Sequence, residues 1–184
     1  MSEYAERYRT VASGFTQRAT AVPDVAWEHP APCEGWLARD IVRHLIEWIP
    51  PLLRDGAGIE LPTGPNVDVD PAGAWVALSD VIQGLLDDPD VAAREFDHVR
   101  AGRHRLDEAI AMFFLGDVLI HTWDLARATG LDESLDPDEV ERMLEGSLPM
   151  DAVLRQSGHY GPRVEVPDDA DPQTRLIAFV GRRP

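Results

Sequence analysis

The chain has 184 residues, 44% of them hydrophobic, one cysteine and a formal charge of −16. That length suits one well-filled hydrophobic core and is short for two domains. The charge argues against nucleic acid or an anionic membrane surface as partner, and the single Cys33 rules out an internal disulfide or a multi-cysteine zinc site.

The first helix is predicted from about Ser2 to Ala21, with Tyr4, Tyr8, Val11 and Phe15 on one side and Pro23 ending it. Met1 to Glu6 carry acids where a signal peptide carries bases. No stretch approaches the roughly 20 apolar residues that span a bilayer, so a cytoplasmic location is expected. Trp27 to Trp36 holds two prolines and a glycine and reads as an ordered loop, with Cys33 a small residue within it. The second helix runs from near Trp36 to about Arg54, where Pro50-Pro51 should kink or shorten its end. A Gly/Pro/Asp loop follows from Asp55 to Asp70, a length often associated with function.

Pro71 suits the first turn of a third helix that stops before Pro89. The stretch from Val91 to Arg103 reads either as a short strand or as a connection. The clearest helix spans Leu106 to Thr129 and closes at Gly130, a natural C-cap. A further helix starts after Asp136-Pro137 and runs to about Leu148. The tail pairs an extended piece, Arg163 to Val166, with a last helix from about Pro172 to Val180. The expected fold is therefore all-α: a four-helix bundle with short extra helices and a small β element near the C-terminus.

The chemistry lies in the core stripes. On the fourth main helix Leu106, Ile110, Phe113, Asp117, His121, Asp124 and Ala128 recur at three- and four-residue spacing, and the lower half of the stripe is polar. On the second, Leu37, Ile41, His44, Trp48 and Leu52 form a stripe with His44 at its centre. A buried carboxylate without a partner costs several kcal/mol. Three arrangements relieve that cost: a solvent-open bundle end, hydrogen bonds among the polar residues, or a bound cation. Asp117 and His121 are one turn apart and can reach a single ion, with His44 a third ligand from a facing helix.

Three segments carry a resemblance. Pro32-Cys33-Glu34-Gly35-Trp36-Leu37-Ala38-Arg39-Asp40-Ile41-Val42-Arg43-His44-Leu45 resembles the signature of the N-terminal domain of mycothiol-dependent maleylpyruvate isomerases. His121-Thr122-Trp123-Asp124-Leu125-Ala126-Arg127-Ala128-Thr129-Gly130 is similar to a second segment of that superfamily, and Gly161 to Pro184 is similar to the tail of its small actinobacterial metal-binding members. The resemblance spans nearly the whole chain. It implies a DinB-like four-helix bundle holding one divalent metal, zinc or nickel, on His44, Asp117 and His121. The isomerase presents a glutamate where this chain has Asp117. It also carries a C-terminal domain with no counterpart in this sequence, so isomerase activity itself is not implied.

Around that site, Asp124 is read either as the acceptor that orients an imidazole or as a partner of Arg127 or of a base on a neighbouring helix. Trp123, Trp36 and Trp48 are read as core or pocket wall, and Arg43 and Glu47 as solvated. His29, His98, His104 and His159 default to the surface, with His159 placed to fold over the bundle mouth. The leading functional expectation is a metal-dependent thiol transferase or isomerase acting on a small electrophile, with a low-molecular-weight thiol as co-substrate and the loop from Asp55 to Asp70 shaping the pocket. A metal hydrolase with the same site, or a non-catalytic binding protein, are the alternatives, and a homodimer through apolar helices is compatible with each.

Overall fold

The computed structural model describes residues 2–156, 158 and 160–184. It is mostly helical with one small β element. Helix α1 spans Glu3–Ala21, α2 Ala38–Ala57 and α3 Pro71–Asp87; after the short α4, Pro89–Ala92, come strands β1, Glu95–His98, and β2, Gly102–Arg105. A continuous helical stretch then runs through α5, Leu106–Ile110, a π-helical turn, Ala111–Leu115, and α6, Gly116–Thr129. Helices α7, Pro137–Ser147, α8, Asp151–Gln156, and α9, Pro172–Phe179, complete the chain.

Helix α1 packs on α3 and α6, and α2 packs on the same two, so the four form a closed ring with α1 and α2 on opposite corners. Their starts follow from local chemistry. Ser2 accepts from the Ala5 N–H at 3.2 Å, and Asp70 caps α3 by accepting from Gly73, with Pro71 in its first turn. The core is lined by Tyr8, Phe15, Ile41, Leu45, Trp75, Ile82 and Phe114, all fully buried. Trp75 donates its indole N–H to Thr16 at 2.8 Å and so meets its hydrogen-bonding need inside the bundle.

Several sequence expectations change here. Helix α2 runs through Pro50 and Pro51 to Ala57, because buried Leu53 anchors its last turn and Gly58 closes it at φ 65°. The following loop is correspondingly shorter and packed, with Ile59 and Val67 buried. Its Asp68 accepts from Arg43 at 2.6 Å, so Arg43 is an anchor for the loop as well as a surface residue.

The β element is the hairpin at residues 95–105 and does not lie near the C-terminus; residues 163–166 form no strand. The hairpin docks because Phe96 is fully buried against Gly56, where an added Cβ would lie 2.2 Å from the Phe96 ring.

The π turn moves the core stripe of the long helix by one residue: Phe114 is fully buried and Phe113 only half-buried. The 24 residues of Leu106–Thr129 are long and apolar enough to cross a membrane by length and composition, although Asp107, Glu108, Asp117, Asp124 and Arg127 interrupt the apolar run. Most of that helix is buried in the bundle.

Candidate metal centre

Helices α2 and α6 face each other, and their polar stripe residues meet between them. His44 Nε2 lies 3.1 Å from Asp117 Oδ2, and His121 Nε2 lies 3.4 Å from Asp117 Oδ1. The ligand atoms of His44, Asp117 and His121 all fall within 4.8 Å of one another. The two imidazole rings stand edge to face at 5.0 Å. His121 is buried, whereas His44 and Asp117 are each about one-third exposed, so the cluster opens on one side. Two nitrogens and one carboxylate are a donor set that suits a divalent ion with coordination positions left over.

The supporting residues act on these three. Trp48 donates its indole N–H to Asp117 Oδ2 at 2.9 Å, a hydrogen bond beyond the packing expected of it. Trp36 stacks over His121 at 5.9 Å and lies 5.2 Å from His44, forming a wall across both rings.

Asp124 is fully buried and lies 2.9 Å from His121 Nδ1. Arg182 donates to both of its oxygens, at 2.9 and 3.0 Å. Arg127 turns elsewhere, to Glu133 and over the ring of Trp123 at 4.5 Å. Trp123 is buried but is not brought to the cluster, since a residue two positions from His121 points ~200° away around the helix.

Electrostatics follow from this geometry. Burial alone would raise the Asp117 carboxyl, but the charge of His121 and the hydrogen bond from His44 outweigh it and hold the group below its ordinary value. Burial disfavours charge on His121, yet Asp117 and the hydrogen bond to Asp124 prevail and push the metal-free imidazole up to about 10. Burial also opposes ionisation of Asp124, and its bond to His121, with the charges of His121 and Arg182, keeps it low. The Tyr160 phenol is raised by burial and then by the negative charge of Asp117, which brings its segment into the electrostatic reach of the cluster.

Two contributors escape the sequence reading. Cys33 is half-buried, accepts from Arg182 at 3.1 Å and donates to Asp124 at 3.5 Å. The Cys33, His121 and Asp124 ligand atoms also lie within 4.8 Å of one another, but there the Arg182 guanidinium already supplies the positive charge. No stripe pattern points to Arg182, which lies 58 residues from Asp124. The other histidines stay apart. His29 is exposed and meets the Ala128 carbonyl, while His98 and His104 serve the hairpin turn. His159 lies outside the described residues.

Fold and site together define a mostly helical bundle with a residue group able to hold a metal ion. The chain is 30% identical over 160 residues to uncharacterized protein Rv0738 of Mycobacterium tuberculosis strain ATCC 25618 / H37Rv, and to uncharacterized protein MT0763 of strain CDC 1551 / Oshkosh, covering 83% of each sequence in both cases. It belongs to the family of these mycobacterial proteins. No family model matches the chain, and no solved structure matches it.

Proposed function

We propose that this chain is a metal-dependent thiol transferase or isomerase for a small electrophile, of the type of the N-terminal domain of mycothiol-dependent maleylpyruvate isomerases. His44, Asp117 and His121 would hold one divalent ion, zinc or nickel. The observation that carries the reading is the convergence of these side chains from two facing helices, with His44 and His121 at 3.1 and 3.4 Å from the two oxygens of Asp117. The sequence likeness at Pro32 to Leu45 and at His121 to Gly130 adds to it, because those segments supply Trp36, His44, His121 and Asp124 to one place.

A bound divalent ion supplies Lewis acidity that lowers the pKa of a coordinated thiol. The protein's own groups do the rest. Asp124 orients the His121 ring through Nδ1, and Trp48 fixes the Asp117 carboxylate. Trp36 covers the imidazoles on one side. Asp117 is one methylene shorter than glutamate, and the indole N–H of Trp48 tethers its carboxylate, so it would offer the ion a fixed oxygen ligand.

The test is elemental analysis of the full chain purified without affinity tag or chelator, followed by turnover of an electrophile panel with mycothiol. One divalent metal per chain and thiol-dependent turnover lost on chelation are expected. Turnover without thiol would move the protein to the hydrolases. Bound metal with no turnover would make it a binding protein, and no metal after reconstitution would leave a hydrogen-bonded polar cluster.

A further inference from the structure

Arg182 stands two residues from the end of the sequence, yet it reaches the most deeply buried charge of the candidate site. We infer that Arg182 is a positioning residue of the metal centre, which holds Asp124 as a paired carboxylate so that His121 presents Nε2 to the ion. The inference rests on the metal reading of His44, Asp117 and His121.

The contacts of Asp124 carry the argument. Its Oδ1 accepts from Arg182 Nε at 2.9 Å, and its Oδ2 meets Arg182 Nη2 at 3.0 Å, His121 Nδ1 at 2.9 Å and Cys33 Sγ at 3.5 Å. An imidazole that ligates through Nε2 keeps its hydrogen on Nδ1, the nitrogen that faces Asp124. Such a ring is neutral and cannot compensate a carboxylate that is 0% exposed. Arg182 brings the full positive charge, in a planar fork that matches both oxygens. It also fixes the plane of the carboxylate and therefore the direction in which His121 is held.

The tail is built to deliver this side chain. After α9 the chain reverses at Gly181, whose φ of +90° suits glycine, and an added Cβ there would lie 2.8 Å from Gly161 Cα. Gly181 N–H donates to the Ala178 carbonyl at 3.1 Å and Arg182 N–H to that of Ile177 at 3.0 Å, closing the helix end. The Arg182 side chain is 17% exposed, whereas Arg183 and Pro184 beyond it are exposed. The same guanidinium reaches Cys33, so it joins the tail, the loop before α2 and the ligand helix at one point.

The experiment is a zinc titration of the full chain against a chromophoric chelator, for wild type, Arg182→Ala, Arg182→Lys, Asp124→Asn and the Arg182→Ala/Asp124→Asn pair. Arg163→Ala, which removes another tail-region arginine, one that lies over Phe179 and pairs with Asp151, is the control and should leave affinity unchanged. Loss of the fork should weaken zinc binding about 10- to 100-fold. Lysine keeps the charge without the fork and should fall between, about fivefold weaker. Because Arg182 acts through Asp124, adding Arg182→Ala to Asp124→Asn should cost little more than Asp124→Asn alone.

Unchanged affinity in Arg182→Ala, or additive effects in the double variant, would overturn the inference. If Arg182→Ala fails to fold, Arg182→Lys decides on the same criterion. A wild-type chain that binds no zinc overturns the metal reading itself, an outcome distinct from any loss confined to the variants.

Discussion

Two buried polar arrangements in this bundle differ in kind. Glu139, at the start of α7, is nearly buried and takes a bidentate pair from Arg7 of α1, with both bonds at 2.8 Å. Charge balances charge and a planar fork meets a planar carboxylate, so the pair is complete and pins α7 to the bundle. On α6 only Asp124 is paired off in this way, by Arg182, and the group formed by His44, Asp117 and His121 is not. Two imidazoles converge on one carboxylate that stays partly open to solvent, and the charge deeper in is closed by Arg182. A buried polar group is structural where its partner satisfies it fully. It is a candidate site where several donors aim at one shared point.

The strongest way to break the contrast is at the ligands. Asp117→Ala/His121→Ala should abolish metal retention in elemental analysis, while Glu139→Ala should leave metal content at its wild-type level. Glu139→Ala should instead cost about 3 kcal/mol in chemical denaturation, because it strands a partly buried guanidinium. An apolar pair, Arg7→Met/Glu139→Leu, should recover most of that loss.

A pH series sharpens the contrast further. In the chelated protein the His121 pKa is raised to about 10 from an ordinary value of 6.5. A raised folded pKa gives stability that is fully present below about 6.5 and lost as pH rises through about 10. Denaturation of the metal-free chain should therefore show a fall on the order of a few kcal/mol between pH 6 and pH 10. That fall should be absent in His121→Asn, where the titrating ring is gone. The smallest effect is expected of Trp48→Phe, which removes the indole donor to Asp117. It should cost about 1 kcal/mol in stability and weaken metal binding by roughly tenfold, as read by competition with a chelator.

Much of this was legible in the sequence. The three- and four-residue spacing placed the helices, Gly130 marked the end of α6, and the polar stripe singled out His44, Asp117, His121 and Asp124. These are local properties, since residues one helical turn apart share a face whatever the rest of the chain does. The β hairpin was ambiguous because its one fully buried anchor, Phe96, acquires meaning only against Gly56 of α2. The π turn was hidden because it shifts the stripe by a single residue, which no periodic pattern marks in advance.

By itself, then, the sequence determined the helices and which residues share a face with His44 and with His121, because helical periodicity is fixed by the backbone. Packing decided that Ile41, Leu45, Ile49 and Leu53 form the buried line of α2, with His44, Trp48 and Leu52 half-buried beside it. Tertiary structure alone decided which buried charges were complete. Glu139 found Arg7 across 132 positions and Asp124 found Arg182 across 58, and pairings at such separations depend on how distant segments pack and not on any repeat along the chain.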